Sequence, residues 1–310
     1  MRNATETPNA IEIRDLVRRF GRTEAVKGLS LTVRPGRCYG LFGRNGAGKT
    51  TTIKCLLGHL RPTAGGVKVF GLNPLRHEVA VKSRIGYVPE VTGFYPWMSA
   101  RNMLDYAASF RPQQWSRALE KDLLERFGLD PAKKINAMSK GMRAQLSLIC
   151  AISAEPDLLL LDEPTSGLDP IVRRDFIQTV IGAYQEGAPE RRTVFVSTHL
   201  ISEFEGLIDE FTIMDEGRAV VTLESDAARE RYRKVRMRFE TAPPAIPQMG
   251  GVLSAKTDGR AVELLTNSWS PELESRLRAL RPEDLSAEPL SLEEIFVATG
   301  RLAQSGEKAS

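Results

Sequence analysis

The sequence predicts an α/β chain: a mostly parallel sheet, an antiparallel sheet at its N-terminal end, a helical insertion, and a small C-terminal α+β module. Three observations predict it. Cys38 to Phe42 is a short apolar run that leads through a Gly-rich turn into Lys49 to Leu60, a stretch of helix-forming residues stopped by Pro62, Gly65 and Gly66. Leu158 to Leu161 and Thr193 to Ser197 are continuous apolar or β-branched runs of the kind buried on both faces of a parallel sheet, with a helix expected between them from about Ile171 to Tyr184. Near residue 225 the texture changes to a charge-dense stretch, RERYRKVRMRFE, followed by Pro243, Pro244, Pro247, Gly250 and Gly251, which places a domain boundary close by.

In chain order, residues 1 to 10 are polar and expected to be loose, and Ile11 to Val17 and Leu29 to Val33 read as strands by alternation and β-branched content. Residues 99 to 154 lack strand patterning and carry apolar residues at three- and four-residue steps (Leu119, Leu123, Leu124, Phe127; Leu146, Ile149, Ile152), which reads as helix. Strands then return, joined by crossovers expected to be right-handed. Beyond residue 225, two or three weak strands (among them Val235 to Phe239 and Val262 to Leu265) alternate with helices over Pro271 to Leu280 and Leu292 to Thr299. The expected division is therefore 1–224, with its insertion at about 91–154, and 225–310.

Composition narrows the class without naming a function. The 310 residues are 42% hydrophobic and 26% charged, and no segment approaches the 18 apolar residues of a bilayer span. Three widely spaced cysteines (Cys38, Cys55, Cys150) and a start without a basic cap and apolar stretch lead us to expect a reducing cytosol. A formal charge of +4 is small for this length and does not demand nucleic acid. The run Arg229, Arg231, Arg233, Lys234, Arg236, Arg238 could touch anionic lipid or nucleic acid, but is better read as a solvated helix-to-strand edge whose charges discourage edge pairing.

Chemistry concentrates in two segments. Gly43-Arg44-Asn45-Gly46-Ala47-Gly48-Lys49-Thr50 fits the phosphate-binding pattern G-x-x-x-x-G-K-[ST] and sits between strand and helix, where it must. Its glycines let backbone N–H groups turn toward phosphates, the following helix presents its positive end, Lys49 can reach the β and γ phosphates, and Thr50, followed by Thr51, can ligate Mg²⁺. Such a pattern arises by chance in about one chain in a hundred of this length. Leu158 to Leu161 ends in Asp162 and Glu163, at the end of a strand where α/β sites lie. Asp162 could hold a metal through water and Glu163 could polarise an attacking water, although acidic residues at strand ends are common.

With five further segments the chain resembles the ABC ATPase family from residue 11 to about 222. Asn136-Ala137-Met138-Ser139-Lys140-Gly141-Met142 is similar to the family's signature sequence, Ser166-Gly167-Leu168-Asp169-Pro170 to the loop that passes between subunits, and His199 in Val196-Ser197-Thr198-His199 to its switch histidine. Phe20 matches the aromatic that stacks on adenine, and Ile85-Gly86-Tyr87-Val88-Pro89-Glu90 the segment that usually ends in Gln. The resemblance implies a P-loop NTPase core that binds ATP and Mg²⁺. It implies Ser139 and Gly141 contacting γ phosphate in trans, Asp169 at the nucleotide seam, and Thr50, Glu90 and Asp162 around the metal. It further implies a homodimer or heterodimer of such subunits at the cytoplasmic face of a membrane, driving a separately encoded permease.

Two departures stand out. Glu90 replaces a Gln and adds negative charge near the metal, while Lys140 and Met142 replace the commoner Gly and Gln of the signature. Both resemble variants in exporter ATPases, whose cargo would be a small molecule, drug, lipid or polysaccharide. The aromatic cluster Phe94, Tyr95, Trp97 could receive the permease or pack the insertion's own core. Rival readings are a soluble ABC ATPase acting on ribosomes or DNA, against which one cassette without sustained heptads argues, and a P-loop kinase, which leaves the signature and switch segments unexplained.

Overall fold

The computed structural model describes residues 8–185, 192–245 and 249–306, with backbone alone at 183–185 and 301–306. The expectation of a loose start falls mostly on residues 1–7, and Pro247 on a second segment, both outside the described residues.

Strands β1 (Ile11–Phe20) and β2 (Thr23–Val33) form an antiparallel hairpin turning at Gly21, whose φ of 57° a side chain would resist. Both are longer than alternation predicts. Register shifts interrupt the pairing around Asp15, itself at φ 46°, so the period of two breaks where the strand does not. Strand β3 (Cys38–Gly43) is buried throughout and leads into α1 (Lys49–Leu56). The helix stops short of the expected Leu60 because Gly58 takes φ 71° just past its end. Strand β4 (Ala64–Val69) then returns beside β1, completing a sheet in the order β2-β1-β4. Its first residues include Gly65 and Gly66, read from sequence as a helix stop. A Cβ on Gly65 would lie 2.1 Å from the carbonyl of Asp15, so glycine is there to let two backbones approach within one sheet.

The short helix α2 (Glu78–Lys82) and strand β5 (Ile85–Val88) precede the insertion, whose described residues form helices α3 (Ala100–Ser109), α4 (Arg117–Phe127) and α5 (Lys140–Ile152). Ser99, Ser116 and Ser139 cap them, each accepting a backbone N–H from the first turn. Strand β6 (Leu158–Asp162), helix α6 (Pro170–Gln185) and strand β7 (Thr193–Thr198) follow. Strands β5, β6, β7 and β3 are parallel neighbours in that order, and their register sets Asp162 opposite Ser197 and Phe42 opposite Thr198. Tyr39, Leu41, Ile53, Leu56, Leu158 and Phe195 bury the sheet against α1 in a core that continues into β1, β2 and β4. The carboxyl ends of four parallel strands thus converge on one edge of a rigid core.

Strands β8 (Glu210–Asp215) and β9 (Arg218–Glu224) come next. The chain divides into two compact units, Met1–Ile208 with Met214–Ala219, and Asp209–Ile213 with Val220–Ser310. The second contains α7 (Ser225–Arg231), β10 (Arg233–Arg238), β11 (Val252–Asp258), β12 (Ala261–Thr266), α8 (Pro271–Arg278), β13 (Asp284–Pro289) and α9 (Leu292–Gly306). Its sheet is antiparallel in the order β11-β12-β10-β13. Strands β11 and β13, unforeseen in the sequence, are the outer pair, and their mostly exposed residues carry little apolar signal.

Strand β10 corrects the reading of the basic run: it lies inside the sheet, between β12 and β13, not at an edge. Its alternation sends Val235 and Met237 into a core with Val262, Leu264, Leu273 and Leu277, and Arg236 to the opposite face. There Arg236 meets Glu263 at 3.6 Å and Glu288 at 3.3 Å on the flanking strands, and Lys234 pairs with Glu294, so the charges of these two residues are matched within this unit. Leu264 is fully buried in this small core. Leu264→Ala should lower the stability of this unit by about 2–5 kcal/mol, read as a shifted urea midpoint for its transition in the intact chain.

Candidate functional site

Gly48 precedes α1 at φ 102°, and a Cβ there would stand 2.5 Å from the carbonyl of Ala25. This backbone turns loop 43–50 so that, among the described residues, the N–H groups of Gly46, Gly48, Lys49, Thr50 and Thr51 have no protein acceptor. Ala47 N–H closes the loop on the carbonyl of Arg44 at 3.1 Å. Unclaimed donors at a helix N-terminus form a concave positive surface that suits phosphate oxygens. Arg44, Asn45 and Gly46 are exposed around it, while Gly43, Ala47 and Lys49 are buried.

Lys49 folds back over this loop. Its Nζ donates to the carbonyls of Gly43 at 2.7 Å and Arg44 at 3.2 Å, and lies 2.9 Å from Glu163 Oε1, with 5% and 6% of the two side chains exposed. Glu163 Oε1 has ionic contact here but no hydrogen bond, so the pair is out of line. The other oxygen, Oε2, is 2.8 Å from His199 Nδ1 and accepts the backbone N–H of His199 at 3.3 Å. Glu163 stands at φ 46°, a left-handed conformation uncommon for a residue with a side chain, and its N–H donates to the carbonyl of Ser197 at 2.8 Å. A backbone held this way by its neighbours stores strain and aims the carboxylate between lysine and histidine.

One residue earlier, Asp162 Oδ1 accepts from Ser197 Oγ at 2.6 Å and from Thr50 Oγ1 at 3.1 Å. Burial raises its pKa, opposed by those two hydroxyl donors. Thr50 and Asp162 offer hard oxygen donors beside the phosphate loop, and no group of three or more His, Cys, Asp or Glu residues could hold a metal by itself among the described residues. That set fits Mg²⁺, which takes one or two protein oxygens and fills its remaining positions with phosphate and water. Glu90 is exposed just past β5. Tyr87 senses both acids: burial first, then the charges of Asp162 and Glu90, push its phenol up to about 12.

The structure gathers Gly43 to Thr51, Asp162, Glu163 and His199 around one point, and leaves other expected site residues apart. Ser139 caps α5 by accepting the N–H of Met142 at 3.1 Å, and Gly141 lies with its Cα hydrogens toward Val172. Among the described residues neither makes a hydrogen bond to loop 43–50. Asp169 spends Oδ1 on the N–H groups of Ile171 and Val172, capping α6. Phe20 is 45% exposed, with the Arg18 guanidinium 4.5 Å from its ring centroid. Ser197 is a site residue that sequence reasoning passed over: its role comes from lying opposite Asp162 in the β6–β7 register.

A second feature lies across the insertion. Tyr95 stacks near Trp97 at 5.1 Å and Tyr106 at 6.0 Å, and Tyr106 meets Phe110 edge-on at 5.0 Å. These rings remain at the surface, Trp97 at 68% and Phe110 at 69% exposure. The insertion's own core includes instead the buried Leu104, Leu123, Leu124, Leu146 and Ile149. Beside the rings a groove of about 420 Å³ is lined by Thr92, Phe94, Tyr106, Phe110, Arg111 and Trp115. A chain of exposed aromatics at a groove is unusual for a surface that meets only water.

Comparison with known proteins sets this geometry in context. A family model described as ABC transporter matches residues 26–166. The chain is 37% identical to the bacitracin transport ATP-binding protein of Bacillus licheniformis over 226 residues, covering 72% of each. Over 99% of its length it is 31% identical to the daunorubicin/doxorubicin resistance ATP-binding protein of Streptomyces peucetius, covering 98% of that protein. Among solved structures, an ATP-binding subunit of an ABC transporter superposes with a TM-score of 0.64 at 27% identity, covering 71% of this chain and 92% of the other.

Proposed function

The chain belongs to the ABC transporter family as an ATP-hydrolysing subunit of exporter type, and from that premise we propose how its residues divide the work. The observation that carries the reading is the union of an open N–H loop with a buried Lys49–Glu163–His199 chain. Loop 43–50 cradles the phosphates, and Lys49 leaves Glu163 to bind their outer oxygens. Thr50, Asp162 and Glu90 would hold Mg²⁺, which supplies charge neutralisation at the β and γ phosphates. Released from Lys49, the Glu163 carboxylate accepts a proton from the attacking water, and His199 keeps that carboxylate oriented. Phe20 supports the adenine on the face that Arg18 leaves open.

Ser139 and Gly141 lie outside the chain's own loop, which suits a role across a seam. There the N-terminus of α5 on one subunit completes the phosphate shell held by another, identical or paralogous. Sandwiching two ATP molecules closes the pair, and hydrolysis reopens it. The aromatic groove receives a cytoplasmic segment of a separate membrane permease, since Tyr and Trp at a concave surface are suited to such contacts. No helix among the described residues is long and apolar enough to cross a membrane. In this reading the subunit sits peripherally, on the cytoplasmic side of the permease. Relatives named for bacitracin transport and for daunorubicin and doxorubicin resistance favour a small molecule or drug as cargo.

Tagged chain co-expressed with the permease tests the docking surface. Phe110→Asp and Trp97→Ala should retain the ATPase rate of the isolated chain and lose at least about tenfold in permease recovery, as expected when interface anchors are removed. Undiminished recovery in both would move the interface elsewhere.

A further inference from the structure

Glu203 lies four residues beyond His199, its side chain 11% exposed. Two partners reach its carboxylate from the segment that follows Glu163. Thr165, fully buried, donates its hydroxyl to Oε2 at 2.6 Å, and Arg173 Nη1, from the first turns of α6, lies 2.5 Å from Oε1. Arg173 also turns back, its Nη2 donating to the carbonyl of Leu168 at 3.1 Å. Loop 163–169 is therefore pinned near its start through a hydroxyl and near its end through a carbonyl. Both pins meet on one carboxylate in the segment carrying the histidine.

Stability alone does not account for this arrangement. A largely buried ion pair recovers little beyond its desolvation, and apolar side chains of the same shape would hold the fold as well. The pair is also incomplete: Arg173 Nε is buried without a hydrogen-bond partner, and Glu203 Oε1 has ionic contact without hydrogen-bond alignment. Among the described residues none of the three side chains forms a hydrogen bond or ion pair with those of Lys49, Glu163 or His199, so their route to hydrolysis runs through the loop they pin. That backbone is a demanding one. Glu163 sits in its strained conformation at the head of the pinned loop, and its oxygen must stay 2.8 Å from His199 Nδ1.

We propose that Thr165, Glu203 and Arg173 form a positioning clamp that locks loop 163–169 to the segment after His199, so that Glu163 and His199 move as one unit. The inference rests on the roles given above to Glu163 and His199. Because Asp169 and Ser166 belong to the pinned loop, the clamp carries any displacement of that loop at the subunit seam to the carboxylate–histidine pair. It links closure of the pair to the geometry of the water-activating group.

Steady-state ATPase measurements on the intact chain test it, with Thr165→Val, Glu203→Gln, Arg173→Ala and Arg173→Lys compared with Glu163→Gln. The first three should lower kcat by about 10- to 100-fold, the scale of a small misplacement of a catalytic group, while KM for MgATP stays within about twofold. Arg173→Ala, which leaves the Glu203 carboxylate without its cation, should also lower the melting temperature, whereas the near-isosteric Thr165→Val and Glu203→Gln should keep it close to that of the parent chain. Arg173→Lys should recover part of the loss, since an ammonium can reach Glu203 but not also the Leu168 carbonyl. Thr165→Val combined with Arg173→Ala should be less damaging than the product of the two, because both act through Glu203. Single variants with wild-type kcat, beside a Glu163→Gln that has lost hydrolysis, would overturn the clamp. So would losses of kcat in Thr165→Val and Glu203→Gln that track a rise in KM and a fall in melting temperature. Undiminished hydrolysis in Glu163→Gln would remove the reading beneath the clamp, and the clamp with it.

Discussion

Glu163→Gln should lower ATP turnover by at least about 10²- to 10⁴-fold, the range general-base catalysis supplies, while ATP binding is kept. Removing a carboxylate from a buried site usually exposes its partners, and here those partners are Lys49 and His199. Lys49 retains the carbonyls of Gly43 and Arg44, so its ammonium stays solvated by the protein. A negative charge that competes with phosphate for the same lysine also disappears. ATP affinity should therefore rise, and with hydrolysis blocked the subunits should accumulate as an ATP-bound dimer in gel filtration at saturating MgATP. A carboxamide variant that still turns over ATP would take Glu163 out of its role. One that binds ATP yet stays monomeric, even with its permease present, would refute the shared seam.

The opposite change, Lys49→Ala, is expected to lose nucleotide binding. Two charge-assisted hydrogen bonds to phosphate contribute about 1.5–3 kcal/mol each, which translates to roughly 10²- to 10⁴-fold in Kd. A second cost appears without nucleotide, for Glu163 is 6% exposed and, among the described residues, would keep only His199 as a cationic or hydrogen-bonding side-chain partner. Breaking a buried pair by removing one member destabilises by about 3–5 kcal/mol, and the retained histidine contact puts the expectation at the lower end. Calorimetric titration with MgATP and thermal melting read the two effects separately. Affinity within about threefold of the parent chain would show that the N–H cradle binds phosphate without the lysine. Together the variants form a pair with opposite signs: one frees the lysine for phosphate, the other frees the carboxylate from it.

Several features of this chain were legible because they are local. The glycine, lysine and threonine of loop 43–50 match a phosphate-binding pattern by spacing alone, since the N–H groups, the helix start and the ammonium lie within eight consecutive residues. Apolar runs at 158–161 and 193–197 announced buried parallel strands, and β6 and β7 lie there. Where sequence reasoning failed, local signals were ambiguous. Gly65 and Gly66 marked a stop in one reading, whereas in the structure both lie in β4 and Gly65 marks a close backbone approach, and outer strands β11 and β13 had too few buried residues to show a period. The basic run at 229–238 looked like an edge because its charges are contiguous in sequence. Their carboxylate partners, Glu263, Glu288 and Glu294, come from strands and a helix that sequence does not place beside them.

The sequence by itself determined the glycine-rich loop ahead of α1, the acid pair ending β6 and the order of the motifs, because each is a chemical pattern complete within a few residues. Only the tertiary structure decided which groups meet. Ser197 reaches Asp162 through strand register, Lys49 and Glu163 neutralise each other across more than a hundred residues of chain, and Thr165, Arg173 and Glu203 come together from loop 163–169, helix α6 and the turn after β7. Pairings of that kind depend on how four parallel strands align their carboxyl ends. That alignment is set by burial over the whole core, not by any segment that contributes to it.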